Sequence, residues 1–262
     1  MIKNSITFIK IYAEDKLALF FLLILISLVF FVFIGPYFTL QNPYDLAQLS
    51  ILDSLMPPMS RSFEDDLFYL GTDDQGRDLV SAIIYGLRIS LFVGLLSVII
   101  ALFIGIVLGI ISAYFGGFID SIIMRIADMV LAMPSFLIAL VLLSILGRGL
   151  ENVIIALVMS QWATFARVIR SSALSEKEKD YFNSAKCLCL PQHRIIFGHL
   201  LPNCLPPIIV LSTMNLAFAI TLEASLSFLG VGLPITEPSL GLIISNGYEY
   251  IIVGKYWMSL YP

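Results

Sequence analysis

The feature that most constrains this chain is the recurrence of apolar runs long enough to cross a bilayer: Leu17–Ile34, Ile89–Tyr114, Ile122–Leu146 and Leu205–Leu229, with a shorter one from Val153 to about Phe165. A helix needs roughly 20 residues to cross about 30 Å of hydrocarbon. A soluble core has no use for so many such runs. With 59% hydrophobic and 13% charged residues and a mean hydropathy of +0.95, the chain lies far from soluble proteins, in which about 25% of residues are charged. The expected fold is therefore all-α, a polytopic membrane helix bundle with five transmembrane spans. The net charge of −4 comes mostly from one acidic stretch, and no basic patch suggests nucleic acid as a partner.

The runs divide the chain. Residues 1–16 form an N-terminal tail with Lys3, Lys10 and Lys16, and residues 17–34 form the first span, read as an uncleaved anchor because no small-residue cleavage pattern follows it. It stops at Gly35-Pro36, where a backbone donor is lost. Residues 35–88 form an acidic loop with eight carboxylates, among them Glu64-Asp65-Asp66 and Asp73-Asp74, against Arg61, Arg77 and Arg88. Residues 89–262 carry the remaining spans. Lysine and arginine gather in the N-terminal tail and again at Arg167, Arg170, Lys177, Lys179, Lys186 and Arg194. By the positive-inside rule the N-terminus and the 166–204 loop face the cytoplasm, and the acidic loop faces the other side of the cytoplasmic membrane.

Several local patterns carry further expectations. Gly105 and Gly109 lie one turn apart, with Gly94 extending the same face, so a second helix can approach closely there. Arg125 and Asp128 are spaced to pair on one helix face. In the cytoplasmic loop, Ser175-Glu-Lys-Glu178 has capping-box spacing, and Tyr181, Ala185 and Leu188 form an apolar stripe on the helix that follows. Pro191 suits the first turn of a second helix, with Ile195, Ile196 and Leu200 as its apolar strip and Leu201-Pro202 as its end. Two such helices can lie on the membrane or dock into a soluble subunit. Glu223 falls inside a span, where it must face protein, water or the outer interface, as a pathway residue or a structural hydrogen-bonding group.

Catalytic and metal readings find little material. No G-x-x-x-x-G-K-[ST] phosphate loop, H-E-x-x-H or G-x-S-x-G pattern occurs, and only His193 and His199 are available as imidazoles. The expectation is a protein that is not an enzyme. Cys187, Cys189 and Cys204 make no disulfide framework, and with His193 and His199 they do not match zinc spacing, so no metal site is expected.

Ordered blocks along the chain complete the reading. Leu70-Gly-Thr-Asp-Asp-Gln-Gly-Arg-Asp78, Ile84-Tyr-Gly-Leu-Arg-Ile-Ser-Leu91, Ala113-Tyr-Phe-Gly-Gly117, Met133-Pro-Ser135 and Ala224-Ser-Leu-Ser-Phe-Leu-Gly230 resemble the second permease subunit of dipeptide, oligopeptide and nickel ABC importers. The resemblance runs from the first span to the last residue. It implies a heterodimer with a second permease subunit, two cytoplasmic ATPase subunits that hydrolyse ATP, and an extracytoplasmic solute-binding protein, with no cofactor bound by the permease itself. It also implies that the 166–204 loop is the family's EAA coupling loop, which docks on an ATPase subunit. Tyr181, Asn183, Ser184, Ala185, Leu188, Cys189 and Pro191 are the residues placed there, with Asn183-Ser184-Ala185 standing for Glu-Ala-Ala and Cys189 for the motif glycine. If that glycine uses positive φ, cysteine there carries a steric cost. The family's sixth span is missing after Trp257-Met-Ser-Leu-Tyr-Pro262, by truncation or by loss of the last helix. The implied activity is import of di- or oligopeptides by alternating access; the same family's nickel permeases and a membrane scaffold without transport are the alternatives.

Overall fold

A computed structural model describes residues 15–62, 65–234, 236–237 and 239–262. The tail up to residue 14, with Lys3 and Lys10, and Glu64 of the acidic loop lie outside the described residues. The described chain is mainly helical: α1 (Lys16–Ile34), α2 (Leu79–Phe115), α3 (Gly117–Leu131), α4 (Ser135–Leu146), α5 (Leu150–Lys177), α6 (Asp180–Cys187), α7 (Gln192–Ile195), α8 (Leu201–Phe228), α9 (Leu240–Tyr250) and α10 (Trp257–Leu260). Strand is confined, among the described residues, to one hairpin of β1 (Ser60–Arg61) and β2 (Leu67–Phe68), antiparallel with Ser60 opposite Phe68. Among the described residues, four helical stretches are long and apolar enough to cross a membrane, and five if the bent pair α3 and α4 counts as one span. The protein is an all-α polytopic membrane protein.

Contacts separate the described residues into two compact units, one within residues 15–88 and 246–262 and one within residues 89–245. In the first, the acidic loop is not a solvated strip. Asp53, Thr72, Asp73, Arg77, Asp78 and Ser81 are buried. Thr72 ties the loop together: its hydroxyl donates to Asp53 O at 2.5 Å and accepts from Met56 N–H at 2.8 Å, and its carbonyl accepts from the Trp257 indole at 3.3 Å. Gly76, at φ 75°, sits where an added Cβ would lie 2.1 Å from Ser50 O, so no side chain fits the turn. Asp78 then starts α2 as its cap, accepting from Ser81 N–H at 2.9 Å and Ser81 Oγ at 2.6 Å. The helix therefore begins at Leu79, well before the Ile89 read from hydropathy alone.

Asp73 accepts from the backbone N–H of Gln75 and Arg77 at 2.9 and 2.8 Å. Burial nevertheless pushes its carboxyl up to about 6. A folded value above the unfolded one means that the folded loop binds the proton more tightly, so stability is greatest below about 4, falls as pH rises, and is fully reduced above about 6. The shift corresponds to about 3 kcal/mol. Melting of the solubilised protein should therefore come later at pH 5 than at pH 7, and Asp73→Asn should flatten that difference. An unchanged pH profile in Asp73→Asn would contradict the assignment.

In the second unit, α5 is the central helix. It is the most buried of the candidate spans and packs against α3, α4 and α8. Gly105 and Gly109 of α2 meet it as well: a Cβ on Gly105 would lie 2.4 Å from Phe165 Cβ, and one on Gly109 would lie 2.7 Å from Ala166 O. Gly94 makes the same kind of approach to Ile220 of α8.

Three expectations are corrected here. The third apolar run is two helices bent by 89°, because Pro134 lacks an N–H and disfavours helical geometry at Met133. Asp128 pairs with Arg167 of α5 rather than with Arg125, since α5 lies beside α3. Leu201-Pro202 does not end a helix. A π-turn, Ile196–Leu200, carries the chain from α7 into α8, with Pro202 in the first turn of α8.

Candidate functional site

Two places carry the residues singled out in the sequence, the hairpin between α5 and α8 and the surroundings of Glu223. The hairpin begins where α5 ends. Ser175 lies inside α5, which runs on to Lys177, so no capping box forms. Instead Glu176 ties the turn, accepting from Lys179 Nζ and from Tyr181 Oη, each at 2.7 Å. Tyr181 is half-buried, and burial together with that bond pushes its hydroxyl up to about 12.

The stripe on α6 is rotated from the expected one. Phe182 and Ala185 are buried, whereas Leu188 is 73% exposed. Asn183, Ser184, Cys187, Cys189 and Pro191 are exposed too. Phe182 was missed because Tyr181, Ala185 and Leu188 fit the helical spacing equally well; Phe182 with Ala185, three residues apart, fits it as an inward pair. On the next turn Ile195 and Leu200 point inward and Phe197 is 68% exposed. The hairpin thus seats one apolar face on its own chain and presents Leu188 and Phe197 outward.

Cys189 ends α6 at φ 51°. The Leu190 N–H donates to Ala185 O at 3.3 Å, the six-to-one bond of a Schellman ending, whose αL residue is usually glycine. Cysteine in that conformation costs about 1 kcal/mol. Cys189→Gly should therefore raise the thermal midpoint of the solubilised protein, and Cys189→Val should lower it. A loss of stability in the glycine variant would show a turn built around the thiol.

The neighbouring helix ends are pinned by charge. Arg170 grips both oxygens of Asp120 at 2.5 Å, Ser112 donates to the same carboxyl, and Arg167 pairs with Asp128. Lys177 Nζ donates to Ala113 O at 2.5 Å, capping the carbonyl end of α2. The basic residues read as marking a membrane face thus also clamp α2 and α3 to α5, directly beneath the hairpin.

Glu223 is fully buried. Its carboxyl accepts from Ser90 Oγ of α2 at 2.7 Å and Ser227 Oγ of α8 at 2.8 Å, and Ser239, at the start of α9, hydrogen-bonds to it as well. The apolar groove of about 430 Å³ on the same helix is lined by Thr221, Ala224, Ser225 and Phe228, not by Glu223. The geometry is that of a clamp joining three elements. Among the described residues no cluster of three or more His, Cys, Asp or Glu side chains could hold a metal ion.

The sequence profile of the binding-protein-dependent transport system inner membrane component family matches residues 105–260. The dipeptide transport system permease protein of Haemophilus influenzae is 34% identical over 96% of this chain and 84% of its own length. The corresponding dipeptide permease of Bacillus subtilis is 35% identical over 95% of this chain and 75% of its own. The oligopeptide transport system permease protein of the same organism is 35% identical over 90% of this chain and 74% of its own.

Proposed function

Because this chain belongs to the family of binding-protein-dependent transport system inner membrane components, we propose that it is one permease subunit of an ATP-driven importer that carries di- or oligopeptides across the cytoplasmic membrane. Its relatives are transport permeases, and the chain is a multi-pass membrane protein of that kind rather than an enzyme. In this reading it pairs with a second permease subunit, receives solute from an extracytoplasmic binding protein, and moves it by alternating access. Two ATPase subunits supply the energy.

The observation that carries the reading is the hairpin. It stands where the resemblance places the coupling loop, it is bonded to the end of α5 through Lys179 and Tyr181 on Glu176, α5 is in turn bonded to α2 and α3 through Lys177 and Arg170, and the hairpin offers Leu188 and Phe197 to a partner. A push on such a hairpin reaches the bundle through packed helices. The N-terminus and the hairpin then share the cytoplasmic side.

Reconstitution with the paired permease, the ATPase subunits and the binding protein tests this. Uptake of a labelled di- or oligopeptide should require ATP, and Cys187 should react with an impermeant thiol reagent only from the ATPase side. Leu188→Asp combined with Phe197→Asp should keep the fold, because both side chains are exposed, yet lose ATPase co-purification; buried anchors at such contacts are worth roughly 2 kcal/mol or more each. Wild-type yield of ATPase subunits with the double variant would remove the hairpin as the docking site.

A further inference from the structure

Gln161 lies in the middle of α5, the most buried span, and is only 1% exposed. Neither of its amide atoms has a hydrogen-bond partner among the described residues. The adjoining Trp162 is 6% exposed, and its indole N–H is likewise unpartnered. Three polar atoms on consecutive residues are thus buried and unused inside a membrane-spanning helix, an arrangement that native structures carry rarely and with a reason. The nearby hydroxyls are already committed: Ser160 donates to Leu157 O at 2.8 Å and Ser97 to Gly94 O at 2.9 Å.

Their position adds a second observation. Gly105 meets Phe165 and Gly109 meets Ala166 and Ile169, so α2 and α5 run parallel in a close seam. Gln161 and Trp162 stand one turn before Phe165 and Ala166 on that same face. Continuing the register by one turn brings them level with the buried Ala101. Two glycines make this seam tight by backbone approach, and the polar pair sits one turn beyond them, level with another small residue.

We propose that Gln161 and Trp162 form a hydrogen-bonding site in the α2–α5 seam that meets water when the bundle opens during transport, so that the seam seen here is the closed state of a hydrated pathway. This rests on the alternating-access reading. The unmade hydrogen bonds raise the energy of the closed seam, and hydration of the open one lowers the cost of opening. Neither Ser97 nor Ser160 can do the same, since each hydroxyl is bonded to its own helix.

The test uses the assembled complex in vesicles. In a chain carrying Gln161→Cys with Cys187, Cys189 and Cys204 replaced, a water-dependent methanethiosulfonate reagent should label position 161 about tenfold faster during ATP turnover than without nucleotide, as expected for a shift between two states. Gln161→Met, which keeps the volume and removes the polar atoms, should raise the thermal midpoint and reduce uptake several-fold, and Trp162→Phe should do both more weakly. Equal labelling in all conditions, or a Gln161→Met variant that melts earlier than wild type or transports at wild-type rate, overturns the inference. Uptake by the wild-type complex reports separately on the importer reading. A stability gain in Gln161→Met with labelling unchanged by ATP overturns the site whichever way that control comes out.

Discussion

Replacing Gly105 by leucine should abolish accumulation of the folded protein, and even Gly105→Ala should lower its thermal midpoint sharply. The reason is the seam between α2 and α5, where a Cβ on residue 105 would lie 2.4 Å from Phe165 Cβ and 3.0 Å from Ala166 N. Real Cβ atoms do not approach so closely, and the obstacle is not a flexible side-chain end. The helices must separate, giving up the packing that substitutes in lipid for the hydrophobic effect. Overpacking of a tight core costs about 3 kcal/mol at its upper range. Because the nearest atom is itself a Cβ, Phe165→Ala should not rescue Gly105→Ala, whereas Phe165→Gly should relieve the clash in part. Gly198 is the control: an added Cβ meets nothing nearer than Arg194 Cγ at 3.9 Å, so Gly198→Ala should leave the midpoint unchanged. Rescue by Phe165→Ala, or an unaffected Gly105→Leu, would show that the seam is looser than the geometry states.

The same seam shows what could and could not be read in advance. Apolar length alone marks α1, α2 and α8, because crossing hydrocarbon needs a run that no other purpose explains. The Gly105–Gly109 spacing showed that a close partner exists, but not that it is α5, since spacing is a property of one helix and partnership of two. Arg167 and Arg170, read as the end of a short span, lie inside α5, which runs on to Lys177; their partners Asp128 and Asp120 lie 39 and 50 residues away, and the local alternative, Arg125 with Asp128, satisfied every short-range rule. The start of α2 was visible in Asp78 and Ser81, a cap and its third helical residue, but the charge of Arg88 interrupted the apolar run and set its apparent start at Ile89. Pro134 stood in the sequence as well; a run of apolar residues on both sides outweighed it because hydropathy is blind to a missing N–H. In the hairpin, a one-residue phase decided everything: Tyr181 and Phe182 are adjacent, and only packing determines which one turns inward. Ala185 was the residue expected to meet a partner, and it is instead seated on its own chain, which makes the exposed Leu188 the cleaner probe of docking.

Glu223 is the residue whose two sequence readings the geometry separates most clearly. A pathway carboxyl would border the groove on α8, but the groove is lined by the flanking residues Thr221, Ala224 and Ser225. Glu223 instead gathers hydroxyls from Ser90, Ser227 and Ser239, and so holds α2, α8 and the beginning of α9 to one point. Ser227 is held in turn by close packing, for a Cβ on Gly232 would lie 2.4 Å from its Oγ. Truncation to alanine removes the acceptor of three buried donors and opens a cavity, each part of which is destabilising. Glu223→Ala should therefore cost about 2–4 kcal/mol, read as a large fall in thermal midpoint and in membrane-inserted yield. Glu223→Gln keeps the shape and one carbonyl acceptor, and the serine hydroxyls can turn to accept from its amide, so it should recover most of that stability and, with it, most of the uptake. Ser90→Ala, which removes one bond and little volume, should cost about 1 kcal/mol. The pathway reading makes the opposite forecast for the conservative variant: Glu223→Gln would fold as well as wild type and fail to transport. Midpoint and uptake measured on the same preparation separate the two, because a clamp loses both together and a pathway residue loses only the second.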